Sequence, residues 1–168
     1  MAVSPPSGGG ISVYKFDIIN TMKNKINNNL IIELHVPDFN IVKEFYSYLD
    51  FENVLEHIPA EQPGYLVLKR KSDLGDTLLN FYGGDDRVYN QSFFKQFPKN
   101  TLRGYATEIT IPVSDVESEY EKVKNTIPNA VVRELKELTD VNMKWKDFRL
   151  VDPFGYYIRI TELLEWGQ

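Results

Sequence analysis

Two histidines, His35 and His57, and no cysteine stand in this sequence. Thiolate nucleophiles, disulfides and sulfur-rich metal sites are therefore excluded, and the composition suits a reducing, cytoplasmic setting. What is left for chemistry is a set of carboxylates, cations and rings at alternate positions of apolar runs. Glu33 and His35 lie two apart, as do Glu108 and Thr110, and near the end Tyr157, Arg159 and Thr161 repeat the spacing. On a strand this spacing sends side chains to one face. Carboxylates and an imidazole on a shared face could ligate a divalent cation. They could also act as a general base, or bind an organic ligand through charge-assisted hydrogen bonds.

The elements that must position these residues follow from periodicity. Residues 30–36 read as a buried strand, with Asp38 as a helix N-cap. Ile41, Val42, Phe45, Tyr46 and Leu49 then fall at helical spacing. Strands are expected over 51–58, 64–71 and 76–82, with turns at Pro63-Gly64 and Gly83-Gly84. Residues 83–103 form a polar linker in which 91–97 could be a short helix. A strand over 105–113 follows. Asp115 is a second N-cap, and Val116, Tyr120, Val123 and Ile127 form a helix face. Strands at 130–138, 144–151 and 156–162 complete the chain, the last two joined by a tight turn at Asp152-Pro153-Phe154-Gly155. Upstream, 11–16 alternates like a strand and 17–26 could be helical. Residues 1–10, rich in Pro, Gly and Ser, carry no basic or apolar segment of a secretory signal.

The pattern repeats. Val36-Pro37-Asp38-Phe39 matches Val113-Ser114-Asp115-Val116 at an offset of 77 residues, each between a strand and an amphipathic helix. This gives an α+β fold of two paired βαβββ modules sharing a half-barrel, helices outside and cleft inside. The expected divisions are an N-terminal extension (1–29), a first module (30–82), the linker (83–103), a second module (104–163) and a tail (164–168). The chain has 168 residues, 42% apolar and 26% charged, as in an ordinary soluble domain. No apolar run nears the ~20 residues that span a bilayer. A net charge of −5 argues against nucleic-acid binding and mildly favours cationic ligands.

With Leu49-Asp50-Phe51, Leu78-Leu79-Asn80-Phe81-Tyr82 and the late run from Phe148 through Asp152-Pro153-Phe154-Gly155 to Arg159, the sequence resembles the vicinal-oxygen-chelate superfamily. That superfamily comprises glyoxalase I, extradiol dioxygenases and bleomycin-resistance proteins, and the resemblance spans residues 30–163. Asp50 stands where the family usually has glycine, and aspartate tolerates a left-handed turn better than most residues. Metal-dependent members carry ligands at four strand positions, which here fall on Ile31, Leu79, Glu108 and Arg159. Ile and Leu have no donor atom and Arg stays cationic. The resemblance therefore implies the metal-free, bleomycin-resistance type. It also implies a homodimer with ligand sites between subunits, no cofactor, and a role in antibiotic resistance or metabolite binding.

The expected ligand-binding set is Glu33, His35, Tyr65, Phe81, Glu108, Trp145, Tyr157 and Arg159. Strand parity puts Leu79, Phe81 and Tyr157 in the cleft, while Tyr65 and Trp145 come from neighbouring strands. Such a pocket suits a planar ligand, a cation being one option, held by sequestration without chemistry. Each residue has a plainer reading. Arg159 could pair with Glu108 or Glu33 as a spacer in place of the metal, Trp145 could be ordinary packing, and His35 a surface or interface residue. Lys69-Arg70-Lys71 reads as a solvated strand end. The alternative function is a metal-dependent lyase, isomerase or dioxygenase, for which a rearranged set of Glu33, His35 and Glu108 is the remaining route. A metal-free enzyme with His35 or Glu108 as base, or a binding module with no small ligand, stay open.

Overall fold

The computed structural model describes residues 31–140 and 143–163. The strand and helix expected over 11–26 lie outside them. The first module is β1 (Glu33–Val36), α1 (Phe39–Ser47), β2 (Glu52–His57), β3 (Gly64–Arg70) and β4 (Thr77–Gly83). The second is β5 (Glu108–Val113), α2 (Val116–Thr126), β6 (Val131–Asp140), β7 (Met143–Val151) and β8 (Tyr157–Glu162). The fold is α+β and built from two four-stranded mixed sheets, ordered β1-β4-β3-β2 and β5-β8-β7-β6, with no closed barrel. In each, the first strand pairs with the fourth in parallel and the other ladders are antiparallel. The linker holds two short 3-10 turns, Asp86–Asn90 and Phe94–Gln96, in place of one helix over 91–97. Among the described residues no helix is long and apolar enough to cross a membrane.

Local chemistry explains the matching starts. Asp38 Oδ1 accepts from the backbone N–H of Asn40 (2.7 Å) and Ile41 (3.2 Å), and Asp115 Oδ1 accepts from Ser118 N–H (2.9 Å). Each carboxylate satisfies donors that the first helical turn cannot pair. Asp50 sits at φ 61°, the left-handed conformation for which glycine is the usual choice. Gly83, at φ 125°, ends β4 so close to β1 that a Cβ there would lie 2.1 Å from the Val36 carbonyl oxygen.

Alternation then sorts the faces. Leu34, Val36, Leu66, Leu68 and Phe81 in one sheet, and Ile111, Val113, Phe148, Leu150, Ile158 and Ile160 in the other, join the helix residues Phe39, Val42, Phe45, Tyr46, Val116 and Val123 in one hydrophobic cluster. The core is thus shared by both modules on their helix side. Polar ties stitch it. Tyr46 Oη donates to Asp152 Oδ2 (3.2 Å), while Oδ1 of Asp152 accepts from Phe154 and Tyr156 N–H. The Tyr156 hydroxyl accepts from His35 N–H (2.9 Å) and donates to its carbonyl (3.2 Å), fixing β1 to the start of β8.

The run Lys69-Arg70-Lys71 is not a solvated strand end throughout. Arg70 is 8% exposed and pairs with Glu119 of α2 at 3.3 Å. Its neighbour Lys69 turns the other way, to Asp76. Alternation buries the middle residue of a run whose composition reads as surface.

Candidate functional site

With the helix-side faces filled by core, the chemistry-bearing residues fall on the opposite face of each sheet. In the first sheet this face carries Glu33 and His35 of β1, Tyr65 of β3 and Asn80 and Tyr82 of β4. Glu33 stands in register with Asn80, and Tyr82 stands between His35 and Tyr65. Tyr65 hydrogen-bonds to the Glu33 side chain, and burial together with that carboxylate holds its hydroxyl well above its ordinary pKa. Tyr82 is raised for the same two reasons. The His35 ring lies 4.8 Å from Tyr82 and 4.8 Å from Phe94, centroid to centroid, and its Nδ1 is buried without a hydrogen-bond partner. Burial lowers its pKa; Glu33 opposes that and Arg103 adds to it. The imidazole is therefore held toward its neutral form. Beside Tyr82 lies an open depression of about 350 Å³ lined by Glu61, Pro63, Arg87, Asn90 and Gln91, none of them expected from sequence.

The second sheet carries a denser network. Strand register brings Glu108, Tyr157, Arg159, Arg149, Asp147 and Trp145 together from β5, β8 and β7. Asp147 is fully buried and stands at the centre. Its Oδ1 accepts from Arg133 Nη2 of β6 and from Arg149 Nε (3.4 Å). Its Oδ2 accepts from Trp145 Nε1 (3.1 Å) and Arg149 Nη2 (3.4 Å), and lies 3.1 Å from Arg159 Nε. Glu108 forms the outer pole. Arg149 Nη1 donates to it at 2.6 Å, Thr110 donates to it at 3.3 Å, and Arg159 Nη1 lies 3.8 Å away. Two rings brace the guanidiniums, Tyr157 at 5.6 Å from Arg149 and Trp145 at 5.8 Å from Arg159.

Of the expected set, Glu108, Trp145, Tyr157 and Arg159 meet on the second sheet, and Glu33, His35 and Tyr65 on the first. Phe81 is not on either face. It is fully buried on the helix side, opposite Leu34 and Leu66 and 5.4 Å from the Tyr46 ring. The register on β4 is one residue away from that expected. Leu79 packs against the core, and Asn80 is the residue facing with Glu33. The apolar run Leu78-Leu79-Asn80-Phe81-Tyr82 gives no clear alternation from which to choose a face. Asp147, Arg149 and Arg133 escaped sequence reading. The first two follow from Trp145 by counting in twos along β7. Arg133 does not, because β6 is bulged on both sides of it.

A metal does not fit the positions that the superfamily uses. Ile31 and Leu79 lack donor atoms, Arg159 is a cation, and Glu108 is engaged by Arg149. Among the described residues no three His, Asp or Glu side chains cluster as a metal site would need, so the rearranged set of Glu33, His35 and Glu108 does not assemble.

No family model and no curated protein matches this sequence. Solved structures do match its fold. A bleomycin resistance determinant encoded on transposon Tn5 is 18% identical, covering 81% of this chain and 98% of its own, with a TM-score of 0.50. A glyoxalase family protein from Enterococcus faecalis is 17% identical over 81% of this chain and 98% of its own, TM-score 0.51. A hypothetical protein from S. aureus is 18% identical over 82% and 95%, TM-score 0.57.

Proposed function

We propose that this chain, which has the vicinal-oxygen-chelate fold of bleomycin-resistance and glyoxalase proteins, binds a planar small molecule without a metal and without chemistry. The observation that carries this is the state of Glu108. It is the one residue with a metal-ligating donor among the four positions that the superfamily uses, and its carboxylate is spent on guanidiniums. A divalent cation would have to displace Arg149 and sit beside Arg159, against their charge. Trp145 and Tyr157, both partly exposed, remain available for stacking, worth about 0.5–1.5 kcal/mol per good pair.

The reading includes a homodimer and a role in antibiotic resistance or metabolite binding, as the resemblance implies, and a cytoplasmic setting, which the absence of cysteine supports. A thermal-shift screen tests its core, with divalent metals in one arm and planar compounds, a bleomycin among them, in the other. Binding to the native state raises the midpoint by mass action. The expected result is a shift in the organic arm and none with nickel, zinc, manganese or iron. A clear metal shift would overturn the proposal in favour of a metal-dependent enzyme. Sedimentation velocity tests the dimer.

A further inference from the structure

On this face of the second sheet the charges do not balance. Arg133, Arg149 and Arg159 carry three positive charges against two carboxylates, Asp147 and Glu108. Lys136, opposite Asp147 in the strand register, adds a fourth cation, and Asp140, opposite Met143 in the same register, a third carboxylate, so one positive charge remains in excess. Acceptor capacity at Asp147 is exhausted as well. A carboxylate offers about four lone-pair sites, and the two Asp147 oxygens already meet Arg133, both Arg149 contacts, Arg159 and the Trp145 indole. Each guanidinium carries five N–H donors in a planar fork. Most of those on Arg133 and Arg159 find no acceptor on Asp147 or Glu108, and Nε of both is buried without a well-aligned hydrogen bond. Surplus donors and surplus positive charge lie beside two partly exposed rings in a chain whose net charge is −5.

We propose that the ligand of this face is a planar aromatic anion, its carboxylate or phosphate accepted by Arg133 and Arg159 and its ring packed on Trp145 or Tyr157. This rests on the small-molecule reading above and replaces its cationic option. A monoanion would close the charge balance and supply acceptors in the geometry the forks favour. A cation would meet like charge, with Asp147 and Glu108 already engaged.

The test uses the full chain labelled with nitrogen-15. Benzoate, phenyl phosphate and benzamidine are titrated while the Trp145 indole and arginine Nε–H signals are followed; Trp145→Phe assigns the indole. Benzoate or phenyl phosphate is expected to shift these signals saturably, at least tenfold more tightly than benzamidine. Arg133→Gln is expected to weaken that binding at least tenfold. Arg133→Lys, which keeps a cation on Asp147 while losing the fork, is expected to weaken it severalfold and serves if the Gln variant fails to fold. Benzamidine binding here as well as the anions would overturn the inference and leave the small-molecule reading standing. Anions that leave every one of these signals unmoved would overturn it too. Broadening of the same signals by stoichiometric manganese would instead sink the metal-free reading beneath it.

Discussion

Replacing Asp147 by asparagine strikes the ion network at its centre. The native carboxylate is fully buried and holds three guanidiniums whose side chains are 9% (Arg149), 14% (Arg159) and 36% (Arg133) exposed. Asparagine keeps the shape and one acceptor oxygen, removes the charge, and points an amide N–H at groups that are themselves donors. Of the two carboxylates that these guanidiniums meet, only Glu108 would then remain as counter-charge. Removing one partner of a buried ion pair costs about 3–5 kcal/mol. The exposure of Arg133 allows some solvent screening and puts the expectation at the lower end, about 3 kcal/mol. For a chain of this length that is a fall of roughly 6–12 °C in Tm. Urea unfolding followed by circular dichroism gives the loss directly as a lower midpoint at unchanged slope. Because like-charge repulsion is the cause, salt at about 1 M, where the Debye length is about 3 Å, should recover part of it. Adding Arg159→Gln to Asp147→Asn should cost less than the two single changes together, with a coupling of about 0.5–3 kcal/mol. A loss under about 0.5 kcal/mol, or one indifferent to salt, would refute the reasoning and reduce the network to screened surface pairs.

Burial predicts three further outcomes. Phe81→Ala should cost about 3–5 kcal/mol in urea unfolding, as for a fully buried ring, while leaving benzoate affinity unchanged; an affinity loss without destabilisation would return Phe81 to the ligand face. Burial depresses the His35 pKa, so its neutral form contributes stability that is present above about pH 6.5, the ordinary value, and is lost as pH falls through the folded one. His35→Gln should therefore flatten the stability profile below about pH 6.5, and an unaltered profile would count against burial as the cause. Burial raises the Asp152 pKa despite the hydrogen bonds from Tyr156, Phe154 and Tyr46, so its contribution has the opposite sign: full below about pH 3.9 and lost as pH rises through the folded value. Asp152→Asn should remove that decline in midpoints measured upward from about pH 4, and a decline that persists would assign it to other carboxylates.

The fold was legible because two independent signals coincided at each module. The Asp38 and Asp115 caps mark where strand gives way to helix, and the apolar set after each cap names the buried side. Where one strand face is consistently apolar, as in β1, β5 and β8, parity placed Glu33, His35, Glu108, Tyr157 and Arg159 on the face opposite the helices, in the register that the structure has. Parity failed on β4, where Leu78, Leu79, Phe81 and Tyr82 are apolar or aromatic on both faces and a slip of one residue has no visible cost in the sequence. It failed again at Arg133, which a bulge carries onto the face opposite the helices, whereas at Arg70 parity with Leu66 and Leu68 holds and it is composition that misleads, the residue being buried through a partner 49 positions away in another module. Neither a bulge nor a distant counter-charge is written in local periodicity.

Arg159 shows why charge sign, more than residue conservatism, decides what such a face can hold. Its position in the final strand is one that the superfamily resemblance gives to a metal ligand, and its guanidinium reaches both Asp147 (3.1 Å) and Glu108 (3.8 Å). A divalent cation at that place would leave coordination positions open for substrate. A guanidinium satisfies the same carboxylates through fixed N–H forks and brings no exchangeable position. Placing two more guanidiniums around Asp147 overshoots neutrality, so the face ends with donors in excess of acceptors. A face with spare donors selects for a ligand that brings acceptors, and it discriminates most strongly against analogues lacking them, because buried N–H groups would then go unpaired at about 1–3 kcal/mol each. Benzoate against benzaldehyde, which keeps the ring and one oxygen but loses the charge, should therefore separate by about tenfold or more in affinity. Equal affinities would mean that the ring alone is bound and that the arginines serve only the fold.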